Sequence, residues 1–311
     1  MKTVCEKRTT NAEAISVEVP RREPSPCLMR MIALTIPVLL LSNPLQAQAK
    51  SFYVLTPQVG QGGTAVVQML PQFLGSDCIY VFGDEYKPNK KGYAIIGIKS
   101  DQKPDKYPVF RVPCGGARDN WDYEELEVIE TNFDKTRIAT FTGKPKPRTG
   151  RQKRAIDKAF DQPDKLTDLT NGRNYIYPLD AAVDIIDPFG PIYGNNPYLF
   201  HTGIDWRARV GTPVKAVNGG RIVLVAKNYR RSREGNMLIL YHGLGIYSVY
   251  MHLSKFRVKA DDIVERGQVI GLTGKTGAGA YQDPHLHWNI KEHNTYVDPF
   301  VFVDTIDQHI K

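Results

Sequence analysis

No apolar run in this 311-residue chain reaches the roughly 20 residues that a helix needs to cross a bilayer, which excludes a polytopic membrane protein. Internal repeats and low-complexity tracts are also missing, and with 41% hydrophobic and 24% charged residues the composition excludes a collagen-like or wholly disordered chain. Cysteine is scarce: four residues cannot make a disulfide-dense small scaffold. Neither sign of charge dominates, since 41 Lys+Arg stand against 33 Asp+Glu. A net charge of +8 suits an anionic surface or polymer, but does not by itself indicate nucleic acid, and no zinc-finger, RNP or P-loop pattern is found. The length suits about two domains and can bury a sizeable core.

The amino end reads as an export signal. Arg30 precedes the apolar stretch MIALTIPVLLL at 31–41, and the polar segment after it ends in the small-x-small triplet Ala47-Gln48-Ala49. Met29 and Met31 could each begin such a signal, which leaves 1–28 as a mis-assigned start or an extended leading region. Residues 1–49 are therefore assigned to export, and no cysteine follows the apolar stretch to take a lipid. Their removal leaves Cys78 and Cys114. In an exported protein such a pair invites one disulfide, the alternative being two separate buried thiols.

From 51 to 133 short β-rich runs recur (FYVL, TAVVQML, CIYVFG, GYAIIGIK, YPVFRVP, LEVIE), separated by turn formers such as GQGG and PNKKG. They predict an antiparallel β-sandwich over 50–140, and this part holds no histidine. The segment 141–185 begins with KPKPRTGRQKR at 144–154. It reads as a solvated linker or as a patch for an anionic polymer, with a helix predicted at 151–160. A second all-β domain is expected over 186–303, from the runs TPVKAV, GRIVLVAK, NMLILYH, IYSVYMHL, QVIGLTG and HLHWNI, with a tail at 304–311.

All seven histidines lie at or beyond 201. Two spacings stand out: HTGID, with His201 and Asp205, and DPHLHW, with His285 and His287. In an extended segment alternate side chains share a face, so each motif presents a polar pair to one side. Two histidines and one carboxylate make a donor set typical of zinc, with a fourth tetrahedral position left over, as in catalytic sites. Bound zinc polarises water enough to make a nucleophile near neutral pH. The remaining His of HLHW and His252 in YMHLS are then the candidates for base or electrostatic stabiliser.

The ordered set HTGID, GTPVKAVNGGRIVLVA, EGNMLILYHGLGIYSVYMHLS, VERGQVIGLTGKTGAGAYQDPHLHWNI and VDPFVFV resembles the lysostaphin-type (LytM-like) zinc metalloendopeptidases that cut peptide bridges in peptidoglycan. The resemblance runs from about 188 to 303, and 51–133 is more loosely similar to the β-sandwich preceding the peptidase in some secreted members. It implies one zinc on His201, Asp205 and His287, with His252 and His285 in catalysis. It further implies a peptidoglycan peptide as substrate; the signal layout gives a periplasmic, secreted or wall-associated location, and composition and apolar runs give no nucleic acid and no membrane span after signal cleavage. The rival reading is a non-catalytic wall-binding protein on the same fold, which loses some of these five residues. Many relatives carry an Arg-containing block before HxxxD where this chain has FGPIYG at 189–194, and Tyr193 there is a candidate for the oxyanion or for a packing role. Asp283 stands where Gly is common, as a tuner of the metal rim or a turn residue. His242, Trp206 and Trp288 are read as structural.

Overall fold

A computed structural model of the chain describes residues 50–116, 122–133, 148–162, 167–180, 182, 184–192, 199–227, 232–277 and 283–310. Residues 48–311 form one compact unit, and the export segment lies outside the described residues.

The β-rich runs become β1 (Phe52–Val54), β2 (Gln58–Gly60), β3 (Thr64–Met69), β4 (Asp77–Val81), β5 (Asp84–Tyr86), β6 (Tyr93–Gly97), β7 (Asp105–Pro113) and β8 (Tyr123–Ile129). They make a three-stranded sheet, β1-β3-β6, and a five-stranded one, β2-β8-β7-β4-β5. Phe52, Val67, Ile96, Ile79, Val109 and Leu126 meet between the two in one core. Among the described residues the pairings are antiparallel except β2 with β8, which is parallel. Cys78 and Cys114 are bonded, closing the five-stranded sheet at the end of β7.

Helix α1 (Gly150–Phe160) starts one residue before the predicted span. Thr149 caps it in a reciprocal box with Gln152. Then follow β9 (Ile185–Asp187), β10 (Gly190–Ile192), β11 (Leu199–His201), β12 (Ile204–Arg207), β13 (Pro213–Lys215), β14 (Gly220–Ala226), β15 (Met237–Gly243), β16 (Ile246–Met251), β17 (Lys255–Phe256), β18 (Ile263–Val264), β19 (Val269–Leu272), β20 (His285–Glu292), β21 (Thr295–Val297) and α2 (Pro299–His309). The main sheet runs β18-β14-β15-β16-β20-β12-β9, with β21 beside β20.

Every residue of β15 and β20 is buried, because both faces of the sheet are covered. Leu238, Leu240, Tyr250, Leu286, Trp288 and Ile290 point into the main core. On the other face Ile239, Tyr241, Tyr247 and Val249 pack against Ile156 and Ala159 of α1. Met251 pairs with His287 and Val249 with Asn289, so the histidines of HLHW sit on the face that α1 covers.

Where the sequence reading has only a tail, α2 folds from Asp298, whose carboxylate accepts from Phe300 N and Val301 N, and from Pro299 in the first turn. It buries Phe302, Val303 and Ile306 in the main core.

Candidate metal centre and active site

His201 and Asp205 do not lie on one continuous strand. His201 ends β11, opposite Gly190, whereas Asp205 is on β12 between His287 of β20 and Asp187 of β9. The chain bends at Thr202-Gly203, and a Cβ on Gly203 would lie 2.4 Å from Trp288 O, so only glycine lets β20 pass this close. His285 and His287 do alternate on β20, as HLH predicts.

The structure brings His201, Asp205 and His287 together, all buried, with one donor atom of each within 4.8 Å of the others. His201 Nδ1 donates to Pro188 O at 2.8 Å, and His287 Nε2 to Asn289 Oδ1 at 2.9 Å. Asn289 is held in turn by Nδ2 donating to Thr202 Oγ1. These bonds turn the other nitrogens inward: His201 Nε2 lies 3.0 Å from His287 Nδ1, and the two are 3.3 and 2.7 Å from Asp205 Oδ1. With neutral imidazoles, two lone pairs and a carboxylate oxygen then converge with no hydrogen between them. A cation resolves that conflict. Tetrahedral zinc at about 2.0–2.1 Å from each donor sets donor separations of about 3.3 Å, close to those present.

Burial disfavours charge on both groups, yet their mutual pairing outweighs it. His287 and His201 hold the Asp205 carboxyl well below the usual range, and Asp205, with Asp187 behind it, raises the His201 imidazole.

His252 and His285 flank this cluster, their rings 4.5 Å apart, and His285 Nε2 is 3.9 Å from Asp205 Oδ2. Each donates Nδ1–H to a carbonyl, His252 to Thr276 O at 2.9 Å and His285 to Asp283 O at 2.8 Å, which leaves Nε2 of both as an acceptor. His252 has φ 61, a conformation uncommon for a residue with a side chain, and is tied there by its N–H to Glu234 O. Burial, then the neighbouring His285 and His287, pushes its imidazole down to about 3.

Asp283 does more than close a turn: its carbonyl orients His285 and its carboxylate accepts from Arg207 at 2.8 Å. Tyr193 lies outside the described residues. His242 is structural, buried between Gly219 O and Ser248 Oγ, and its burial lowers its pKa to about 4. Trp206 and Trp288 are core residues. Sequence reasoning missed Asn289, although the alternation that picks out HLH extends to it. Pro188 and Thr276 act through backbone carbonyls and leave no side-chain signal.

Residues 199–299 match the model of peptidase family M23. This segment is an M23 domain. Lysostaphin from Staphylococcus simulans is 39% identical to the chain over 123 residues, 36% of this chain and 24% of that protein. The peptidoglycan DD-endopeptidase ShyB of Vibrio cholerae is 28% identical over 185 residues, 58% of this chain and 38% of its own length. The chain thus spans 24–33% of the length of the first curated relatives it matches. Among solved structures, the crystal structure of an M23 peptidase candidate from Pseudomonas aeruginosa superposes with a TM-score of 0.51 at 24% identity, covering 78% of this chain and 94% of that one. That likeness extends the shared fold beyond the M23 domain into the sandwich. M23 is a metallopeptidase family, zinc-dependent in general, and the His201, Asp205 and His287 donors fit that metal.

Proposed function

We propose that this chain is an exported zinc endopeptidase that hydrolyses a cross-bridge or stem peptide bond of peptidoglycan, with 186–303 as the peptidase domain and 50–140 as a sandwich domain joined to it through 141–185. The observation that carries the reading is the convergence of His201 Nε2, His287 Nδ1 and Asp205 Oδ1, with His252 and His285 beside them, each held through Nδ1 by a backbone carbonyl. The names of the relatives, an endopeptidase of peptidoglycan among them, supply the substrate class.

One zinc held by His201, Asp205 and His287 would supply Lewis acidity toward water and the scissile carbonyl. The rest falls to this chain's own groups. Of His252 and His285, one Nε2 accepts the proton of the attacking water and later delivers it to the leaving amine, and the other ring, in its imidazolium form, donates Nε2–H to the negative oxygen. Water adds across the amide, giving one new carboxylate and one new amine. The Thr276 and Asp283 carbonyls keep both rings in the tautomer that this exchange requires.

The test is digestion of purified peptidoglycan with and without a chelator, reading the released ends by mass spectrometry. Chelator-sensitive new amine and carboxyl ends are expected. His252→Ala and His285→Ala should each lower the rate by about 10²–10⁴-fold with zinc still bound. Near-parental activity of either variant removes that residue from the mechanism. Stoichiometric zinc without any cleavage favours the wall-binding rival. Export is tested by N-terminal sequencing of the secreted chain, which should begin near residue 50.

A further inference from the structure

Between Lys144 and Lys158 the chain carries seven Lys or Arg and a single Asp, a large share of its net +8. The described end of that stretch is α1. Its inner face is spent on the main sheet through Ile156 and Ala159, while Arg151, Lys153, Arg154 and Lys158 are exposed. Among the described residues none of these four forms an ion pair.

The placement of three of them does not serve the helix, although Lys158 sits in the last turn where a cation does. Arg151, Lys153 and Arg154 fall in the first turns, where the helix dipole favours anions and there is no acidic side chain. Three cations at that end raise the free energy of an isolated helix, and an external anion offsets the cost.

The helix is also fixed beside the site. Just ahead of its first turn Arg148 binds the buried Glu234 carboxylate through Nε at 2.9 Å and Nη2 at 2.6 Å, and the Glu234 carbonyl accepts the His252 N–H. At the other end Tyr247 Oη donates to Phe160 O. The cationic face is therefore held on the sheet face that carries His285 and His287, starting next to His252.

We propose that the outer face of α1 is a docking surface for the peptidoglycan strand itself, whose stem peptides bear free carboxylates, so that long-range attraction holds an anionic polymer next to the catalytic cluster. This rests on peptidoglycan being the substrate, and the two can fail separately. The measurement is co-sedimentation of the mature chain with purified sacculi stripped of attached acidic polymers, in chelator so that nothing is cut, across a salt series.

The parent should bind with an affinity that falls steeply with salt. The quadruple variant Arg151→Glu, Lys153→Glu, Arg154→Glu, Lys158→Glu should lose at least tenfold at low salt and most of the salt dependence. A Gln set, checked by circular dichroism, should show a smaller loss of the same kind and covers the case in which charge reversal unfolds the helix. Both sets should cleave a short soluble cross-linked peptide at close to the parental rate. Parental sacculus affinity in both sets overturns the proposal and leaves the face merely solvated. Tight binding to anionic lipid vesicles but not to sacculi overturns it in favour of a membrane surface. If the parent binds sacculi in this salt-dependent way yet cleaves neither substrate, the docking surface stands and the enzymatic reading falls.

Discussion

At the residue scale the site depends on groups that never meet substrate. Asn289 is one: its carbonyl takes the Nε2 proton of His287, and its amide is anchored on Thr202. That bond decides which imidazole nitrogen faces Asp205 and His201. Removing it frees the ring to present N–H where a lone pair is needed. Asn289→Leu is therefore expected to weaken zinc binding by about 10–100-fold, measured by competition with a chromophoric chelator. Asn289→Asp should retain or tighten it, because a carboxylate accepts the same proton more strongly. Equal zinc affinity in the Leu variant would refute the role. Donor chemistry and chain order singled out His201, Asp205, His252, His285 and His287 in the sequence. The HLH alternation holds on β20, whereas the shared face expected of His201 and Asp205 does not come from one extended segment, since β11 ends at His201. The division of roles within HLH rests on the family resemblance. Asn289 was half legible, through its alternation with His287. Pro188, Thr276 and Asp283 contribute carbonyl oxygens, which any residue type would offer, so only the folded backbone identifies them.

At the scale of elements, the runs rich in Val, Ile, Tyr and Phe became strands nearly where they were expected, since their apolar alternation is enforced by burial. What escaped has a physical reason in each case. Strands β2 and β5 are three residues long, too short to show a period, and the parallel pairing of β2 with β8 joins segments almost seventy residues apart. Helix α2 carries FVFVDTIDQH, rich in branched and aromatic residues that locally favour strand, and it is helical because Asp298 and Pro299 start it and the main core takes its apolar side. Helix α1 was legible, and its start is set by one side chain. Thr149→Ala removes the capping box and should cost about 1 kcal/mol. Hydrogen exchange of the 150–155 amides should speed up severalfold while β15 and β16 amides keep their protection. Unchanged exchange in the first turn would show that the Arg148–Glu234 contact alone holds the helix start.

At the scale of the whole molecule, the sandwich and the M23 domain share more than a linker. Strand β3 is buried almost throughout, with Val67 in the sandwich core and Val66, like Tyr93 of β6, in the main core of the M23 domain. Across this junction Thr64 Oγ1 donates to Glu292 Oε1 at 2.9 Å, and Tyr86 packs edge-on against His293. Glu292 is fully enclosed: a Cβ on Gly97 would lie 3.1 Å from its carboxylate, the phenols of Tyr86 and Tyr175 interact with it electrostatically, and Asp84 adds to the effect of burial in raising Tyr86. Burial pushes its pKa from 4.5 up to about 8, and the Thr64 hydrogen bond lowers it by less than burial raises it. Between those two values the folded chain holds a proton that the unfolded chain releases. Stability contributed by the neutral acid is thus complete below about 4.5, declines as pH rises, and is lost above about 8. Glu292→Gln keeps the shape and the acceptor for Thr64 but cannot ionise. Its melting temperature should match the parent near pH 4.5 and exceed it by several degrees at pH 8.5, the gap opening through the window between. A gap that stays constant from pH 4.5 to 8.5 would mean that Glu292 ionises in the folded protein as it does in the unfolded chain, and that the junction tolerates a buried carboxylate.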